Sequence, residues 1–253
     1  MKTNLIAIVA ATLMLSACGG GGAGGAGGAG GGGGNSQAAT YTFVPPKQGQ
    51  TQSYVYNITD IANATASYNY TETITQVNAD GSSLASWVPL QSSYSLGSNT
   101  TGYLTSETDT YDASGDITVY APNDGSNTDC TYIYAAGGRP SQLAQGQSWN
   151  DSYTYQCGAN SQVQTVTGTF VGIESITVPA GTFNAYKFQY SGSYPIANQT
   201  GANTSANYTM TLWLDTDPAG SRRLRMTTQY TYTGFTAPSE YQLINDMQLT
   251  AYQ

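Results

Sequence analysis

The chain has 253 residues, a formal net charge of −8 and no histidine, and only 9% of its residues are charged. Binding to nucleic-acid phosphates requires many basic side chains, so this composition excludes a nucleic-acid-binding protein. The lack of histidine excludes Ser-His-Asp triads, Cys-His pairs and histidine metal sites within this chain.

The first segment of the chain is typical of an export signal. Lys2 is followed by an apolar run at residues 5–15, which is shorter than the roughly 20 residues that span a bilayer. The next residues, Leu15-Ser16-Ala17-Cys18, resemble the lipobox of bacterial lipoproteins. The resemblance implies a signal peptide at residues 1–17 and diacylglycerol on the Cys18 sulfur, with palmitate as the expected acyl group. The alternative is an ordinary secretory signal with an incidental cysteine.

A glycine-rich segment follows the cysteine. Residues 19–34 contain only glycine and alanine, and such a stretch buries too little apolar surface to offset the entropy of ordering it. We therefore expect residues 18–46 to be a lipidated cysteine plus a flexible tether. Gly19 stands where an inner-membrane retention signal often has aspartate. By analogy with the enterobacterial sorting rule, we expect the outer membrane, on either its periplasmic or its surface face.

Residues 47–253 have the pattern of an all-β domain. Tyrosine is abundant, with 21 copies against 5 phenylalanines, and Tyr-x-Tyr pairs place two rings on one face of a strand. No apolar repeat of 3.6 residues indicates a helix, except for one expected turn at residues 241–247. We predict an antiparallel meander that forms a curved sheet, a half-barrel or a sandwich. The pairs are Tyr54/Tyr56, Tyr68/Tyr70, Tyr132/Tyr134, Tyr153/Tyr155 and Tyr230/Tyr232.

Two short similarities indicate that the domain consists of two related halves. Gly49-Gln50-Thr51 and Gly146-Gln147-Ser148 each precede a tyrosine-rich alternating strand. The corresponding halves would be residues 47–140 and 141–253. A single undivided β domain is the alternative.

Two cysteines remain once Cys18 is assigned to the lipid. Cys130 and Cys157 form an even pair in a chain expected in an oxidising compartment, which favours a disulfide. A bridge closing a loop of about 27 residues contributes on the order of 3–4 kcal/mol in the chain-entropy model. Two free buried thiols are the alternative.

The segment Val-Pro-Ala-Gly-Thr-Phe at residues 178–183 is typical of a hairpin. Pro179 presets φ at the second position of a turn, and Gly181 suits the fourth. Residues 182–190 then alternate as the return strand.

This hairpin resembles the V-P-A-G-T-F-x-A-Y-K hairpin of bacterial periplasmic and lipoprotein domains, including domain of unknown function 3108. Gly146-Gln147-Ser148-Trp149 matches the G-x-x-W segment of those domains, and residues 211–215 match their tryptophan strand. Residues 213–220 are a looser version of their W-Y-A-P-G-x-G turn. The resemblance implies a curved antiparallel sheet and no established activity.

Groups suited to catalysis are few. The chain has neither a Gly-x-Ser-x-Gly motif nor a phosphate-binding P-loop. Glu107/Asp109 and Asp215/Asp217 place two carboxylates on one strand face, but acidic hairpin ends give the same pattern. Aspartates of the expected loops lack the spacing of an EF-hand. We therefore predict no catalytic residues, no cofactor and no metal.

Two features suit binding. The run Arg222-Arg223-Leu224-Arg225 places Arg223 and Arg225 on one face of a strand, where they would hold a phosphate or carboxylate. Protection of an edge strand by charge is the alternative. The tyrosine ladders would line a groove for sugars or acyl chains, or else pack as the core of the sheet.

These features together predict a lipid-anchored outer-membrane lipoprotein that is not an enzyme. It would attach to the membrane through the lipid and bind a protein, a glycan or a lipid ligand at the cell envelope. One alternative is a structural or surface-exposed interaction lipoprotein without a small ligand. Another is a hydrolase that uses acidic residues, which requires a cleft with two facing carboxylates.

Overall fold

The computed structural model describes residues 38–96, 100–125, 129–195, 205–218, 222–234 and 241–253. The predicted signal peptide, Cys18 and the glycine-rich segment lie outside the described residues. The described residues form strands and turns without a helix. Accordingly, this part of the chain contains no helix with the length and apolar character needed to cross a membrane.

The described residues form sixteen strands. In chain order they are β1 (Thr40–Thr42), β2 (Thr51–Asp60), β3 (Thr65–Val77), β4 (Ser83–Pro89), β5 (Ser93–Leu96), β6 (Thr100–Tyr103), β7 (Glu107–Tyr111), β8 (Ile117–Pro122), β9 (Cys130–Tyr134), β10 (Gln142–Ala144), β11 (Ser148–Cys157), β12 (Asn160–Val178), β13 (Gly181–Pro195), β14 (Ser205–Asp215), β15 (Arg223–Thr233) and β16 (Gln242–Tyr252).

Twelve of these strands form one closed antiparallel barrel. Its order is β11-β12-β13-β14-β15-β16-β2-β3-β4-β7-β8-β9, and β9 pairs with β11 to close it. Two small sheets, β1-β10 and β5-β6, lie beside the barrel. The prediction of an all-β antiparallel fold is confirmed. The sheet is closed, however, rather than a half-barrel or a sandwich, because both β16-β2 and β9-β11 are paired.

Tyrosine side chains fill much of the barrel interior. Along β2, buried residues alternate with partly exposed ones, and Tyr54 and Tyr56 point inward. The ring of Tyr56 stacks on that of Tyr68 with centroids 5.1 Å apart. Most members of the five Tyr-x-Tyr pairs are buried, and Tyr134 and Tyr232 are partly buried. The tyrosine ladders therefore form the core, and the interpretation of them as the lining of a ligand groove is wrong.

The first described residues dock at one end of the barrel, which we call the entry end. They include residues 40–42, which the sequence placed in the flexible tether of residues 18–46 but which form β1. There β1 pairs with β10, just before β11 begins. Tyr41 of β1 is fully buried, with ring centroids 4.8 Å from Phe188 and 6.1 Å from Phe170. The guanidinium carbon of Arg139 lies 5.5 Å from the Tyr41 ring centroid. The opposite end, where β2 ends and β12 begins, is the far end.

Two local predictions have opposite outcomes. The expected hairpin is confirmed, since Val178 pairs with Gly181 across the turn and β13 returns as a strand. The expected helical turn at residues 241–247 is wrong, because Gln242–Met247 belongs to β16. Pairing with β2 and β15 fixes this segment as a strand, with Asn245 and Met247 facing the core.

Candidate functional site

The outer wall of the barrel carries a depression of about 570 Å³, which we call the polar depression. It lies across β12, β13, β14 and β15, and its backbone floor includes Gly192. All eight side chains that point outward into it are uncharged and able to form hydrogen bonds. These residues are Thr165, Thr167, Ser191, Ser193, Asn207, Thr209, Gln229 and Thr231.

The strand register arranges these side chains in two rows. One row crosses the strands as Thr165, Ser193, Asn207 and Thr231, and the other as Thr167, Ser191, Thr209 and Gln229. Both rows have a serine on β13, one of the two central strands, and serine is the shortest of the side chains in each row. This difference in side-chain length accounts for the depression.

Gly192 allows the close packing beneath the depression. A Cβ atom at this inward-facing position would overlap the Tyr208 side chain and the Thr165 carbonyl oxygen. Glycine therefore permits the Tyr208 side chain to pack closely against the backbone of β13.

Several polar groups of the depression are available to a ligand. Thr165 and Ser193 share a hydrogen bond of 3.2 Å, and the Thr167 hydroxyl donates to Asn150 at 2.7 Å. The other five side chains form no hydrogen bond to any residue in the described part of the chain. These five are Ser191, Asn207, Thr209, Gln229 and Thr231.

The polar depression lies toward the far end of the barrel. Thr165 is in the first third of β12, and Ser193 is near the end of β13. Tyr41, by contrast, contacts Tyr186 near the start of β13, with ring centroids 5.3 Å apart. The chain therefore enters the barrel away from the depression.

A second group of polar residues, the acidic interior cluster, lies inside the barrel. It consists of Glu72, Glu107 and Asp109, and the Arg223 side chain approaches it from β15. The Tyr111 hydroxyl donates to Asp109 Oδ2 at 3.0 Å. Asp109 Oδ1 and Arg223 Nε have no hydrogen-bond partner among the described residues. These carboxyl groups are therefore incompletely compensated.

Burial determines the protonation of this cluster. It raises the pKa of Glu107 to about 7, against a smaller lowering by a hydrogen bond from Tyr120. Burial also raises the pKa of Asp109 well above its usual value, reinforced by the charge of Glu107. Burial raises the pKa of Glu72 too, although Arg223 opposes the increase. The carboxyl groups consequently retain protons more readily than exposed ones.

The acidic pair proposed for hydrolysis is enclosed by the core. Glu107 is 7% exposed and Asp109 is 0% exposed, so this pair does not border an open cleft. The second pair is bound to arginine, since Arg222 forms ion pairs with both Asp215 and Asp217. Neither pair has the arrangement that the hydrolase hypothesis requires.

Arg223 and Arg225 do not share a face, and that expectation is wrong. A β-bulge shifts the register between β14 and β15, so that Trp213 pairs with Arg225 while Leu214 pairs with Arg223. Arg223 consequently points inward, with its guanidinium carbon 5.5 Å from the Trp87 ring centroid. Arg225 points outward.

The other residues that the sequence singled out form contacts within the protein. Cys130 and Cys157 are disulfide-bonded, with Cα atoms 4.2 Å apart. Arg225 binds both oxygens of Asp246, at 2.8 and 3.0 Å. No cluster of three or more histidine, cysteine, aspartate or glutamate residues in the described ranges is arranged to hold a metal ion.

Sequence reasoning did not identify the polar depression. The run from Val163 to Phe170 predicted a strand with alternating faces, and its outward threonines are visible in that pattern. Threonine and serine alternate in many strands of this chain, however. Only the register of four strands shows which of them meet.

No family model matches the chain, and no curated protein matches it. Solved structures that are similar to it include the following three. A protein from Bacteroides fragilis, inferred to be exported and of YmcC-like fold, has 12% identity and a TM-score of 0.44, covering 84% of this chain and 99% of the other. The hypothetical lipoprotein YmcC from Escherichia coli has 10% identity and a TM-score of 0.40, covering 79% and 84%.

The third structure is a protein from Parabacteroides distasonis inferred to be a lipoprotein. It has 13% identity and a TM-score of 0.41, covering 83% of this chain and 97% of the other. These likenesses are too weak to transfer a property to this chain. The fold described above rests on the strand pairing, and the similarity to domain of unknown function 3108 stays a resemblance of motifs.

Proposed function

We propose that this protein is a lipid-anchored outer-membrane lipoprotein that binds a ligand or partner at the cell envelope and is not an enzyme. The binding site in this proposal is the polar depression. The observation that carries it is the position of the depression toward the far end of the barrel, away from the point where the chain enters.

The anchor of this proposal is Cys18, with the glycine-rich segment as a tether. A flexible coil of 16 residues, 19–34, has an average end-to-end distance of about 20–24 Å and a maximum of about 50 Å. Such a tether would attach the barrel to the membrane through its entry end. The polar depression, which lies toward the far end, would then remain accessible.

The location of the acidic residues supports a non-catalytic role. Acid–base catalysis requires carboxyl groups within reach of a substrate. Glu107 and Asp109 are enclosed among aromatic side chains of the core, and Asp215 is held by Arg222.

A second candidate is a structural or surface-exposed interaction lipoprotein without a small ligand. The closed barrel favours it over a carrier that holds a ligand inside. Buried aromatic and aliphatic side chains from both sides of the barrel form one continuous core cluster. A ligand would therefore have to bind the outer wall.

The anchor is tested in the full chain, produced in a bacterium with two membranes. We expect radiolabelled palmitate to label the protein, and Cys18→Ser to abolish both the label and partition into detergent. The matched control is Cys130→Ser, which should retain the label. Labelling of the Cys18→Ser variant, or no labelling of the unmodified chain, would refute the anchor.

The membrane is tested by a second substitution in the same host. We expect the labelled protein to sediment with outer membranes in a density gradient. Gly19→Asp should move it to the inner membrane by introducing the retention signal. Inner-membrane sedimentation of the unmodified protein would refute the outer-membrane assignment.

A further inference from the structure

The chemistry of the polar depression defines the class of ligand that fits it. We infer that the depression binds an uncharged glycan, a polymer of neutral sugar units. This inference rests on the proposed function, because it takes the depression to be the binding site, and it adds the identity of the ligand class.

Charge is the first argument. The chain has a formal net charge of −8, yet none of the eight outward side chains of the depression is charged. An anionic ligand such as a nucleic acid or an acidic headgroup would need cations here. A cationic ligand would need carboxylates. A neutral ligand is the one that this surface complements.

Hydrogen-bonding capacity is the second argument. Hydroxyl and amide side chains both donate and accept hydrogen bonds, as sugar hydroxyls do. Asn207 and Gln229 stand on neighbouring strands, and neither bonds to a described residue. Each can therefore bind a sugar hydroxyl without first breaking a contact within the protein.

The regular spacing is the third argument. Neighbouring strands lie about 4.8 Å apart, so each row presents a similar polar group at each of four strands. A repeating polymer that crosses the strands meets similar partners at successive units. The volume of about 570 Å³ lies within the range of roughly 300–1,000 Å³ that small-molecule sites occupy.

The composition of the depression argues against a protein partner. The centres of protein interfaces are enriched in aromatic residues, methionine and arginine, and energetic hot spots are enriched in tryptophan, tyrosine and arginine. The outward side chains here include only threonine, serine, asparagine and glutamine. Such side chains can, in contrast, form hydrogen bonds with the hydroxyl groups of sugars.

The test uses the full chain carrying Cys18→Ser, which keeps the barrel and prevents lipid attachment. The probes are neutral hexasaccharides of glucose, mannose and N-acetylglucosamine, with a hexasaccharide of galacturonic acid as the charged comparison. Calorimetric titration should show high-micromolar to millimolar binding of at least one neutral probe. The acidic probe should bind at least tenfold more weakly.

Matched variants locate the site. Asn207→Ala combined with Gln229→Ala should weaken binding about tenfold, which corresponds to the loss of one or two hydrogen bonds. The control combines Asn69→Ala with Gln76→Ala, an amide pair on β3 outside the depression, and should leave binding unchanged. Ser193→Trp, which fills the depression, should abolish binding.

The titrations overturn the inference if no neutral probe binds, if the acidic probe binds as tightly, or if the depression variants bind normally. A photo-crosslinking residue at position 193 separates the inference from the proposed function. If it captures a protein at the envelope, the glycan inference is overturned and a binding role for the depression stands. Palmitate labelling at Cys18 tests the anchor independently of either result.

Discussion

Two walls of the same barrel differ in the side chains that their inner faces carry. In the wall formed by β12–β15, the inner face carries Phe170, Phe188 and Leu212, and the outer face carries uncharged hydroxyl and amide groups. In the wall formed by β2–β4 and β7, the inner face carries the acidic interior cluster, Glu72, Glu107 and Asp109, among tyrosine rings.

The difference shows that the alternation of buried and exposed positions along a strand does not determine whether the buried side chains are polar. Both walls have the period-2 burial of strands, but only the first wall keeps every carboxyl group of its middle section out of the core. Burial of the carboxyl groups in the second wall requires them to be protonated or compensated. A change of pH should therefore alter stability through the second wall. Substitution of a buried apolar residue by a charged one should have its effect in the first wall.

The largest effect is expected when a carboxyl group is introduced into the inner face of the first wall. Leu212 is fully buried, and Leu212→Asp would leave a charge without a partner. We expect a loss of more than about 4 kcal/mol in the free energy of unfolding, measured by urea denaturation. The neighbouring control, Thr209→Asp on the exposed outer face, should change it by about 0.5 kcal/mol or less. Equal losses in the two variants would contradict the assigned faces.

The disulfide tests the β9–β11 seam, which lies between β8 and β12. Cys130 of β9 pairs with Cys157 of β11, so the bond links the two strands whose pairing closes the barrel. Cys130→Ser combined with Cys157→Ser should lower the free energy of unfolding by about 3–4 kcal/mol, since the unfolded chain regains the freedom of the loop. Retention of full stability in the double variant would show that strand pairing alone closes the seam.

Local chemistry made part of this architecture predictable from the sequence. Pro179 and Gly181 specify a turn by their own backbone preferences, so the β12–β13 hairpin could be predicted. The Tyr-x-Tyr pairs identified strands because residues two apart share one face of a strand and tyrosine favours strands. Closure could not be predicted, because Tyr56 pairs with Met247, nearly the whole domain away along the chain.

The direction of individual side chains and the identity of neighbouring strands could not be predicted, for related reasons. The inward direction of Arg223 depends on a bulge opposite Trp213, which shifts alternation by one residue. The polar depression depends on the register of four strands, and no single strand contains a signal for it. Period-2 patterns identify two faces of a strand, but in a sequence this rich in threonine and tyrosine they do not identify which face is inside.

The pH dependence of stability tests the buried carboxyl groups of the second wall. Burial raises the pKa of Glu107 to about 7, above the value near 4.5 that the group has when unfolded. The folded state therefore binds the proton more tightly, and the contribution of Glu107 to stability is greatest below pH 4.5 and is lost as the pH rises through about 7. The expected loss is on the order of 3 kcal/mol, since one pKa unit corresponds to about 1.4 kcal/mol.

Urea denaturation at several pH values between 4.5 and 8 measures this loss. Glu107→Gln cannot ionise, so its curve should be flatter than that of the unmodified protein. Asp109 and Asp116 should retain part of the slope in that variant, because burial raises the pKa of both groups, that of Asp116 to about 7 although Arg139 opposes the shift. Stability that rises across this range in the unmodified protein would contradict the buried, protonated state of Glu107.

The smallest effect is expected on the outer face of the first wall, where water screens charge. Arg225 binds Asp246 but remains partly exposed, with 33% of its side chain accessible. Arg225→Met should cost about 1 kcal/mol or less, and the cost should decrease further at high salt. Arg223 stands two residues away on the same strand and points inward beside Glu72. Arg223→Met should cost several times more and show little salt dependence, because the charge it removes compensates buried carboxyl groups.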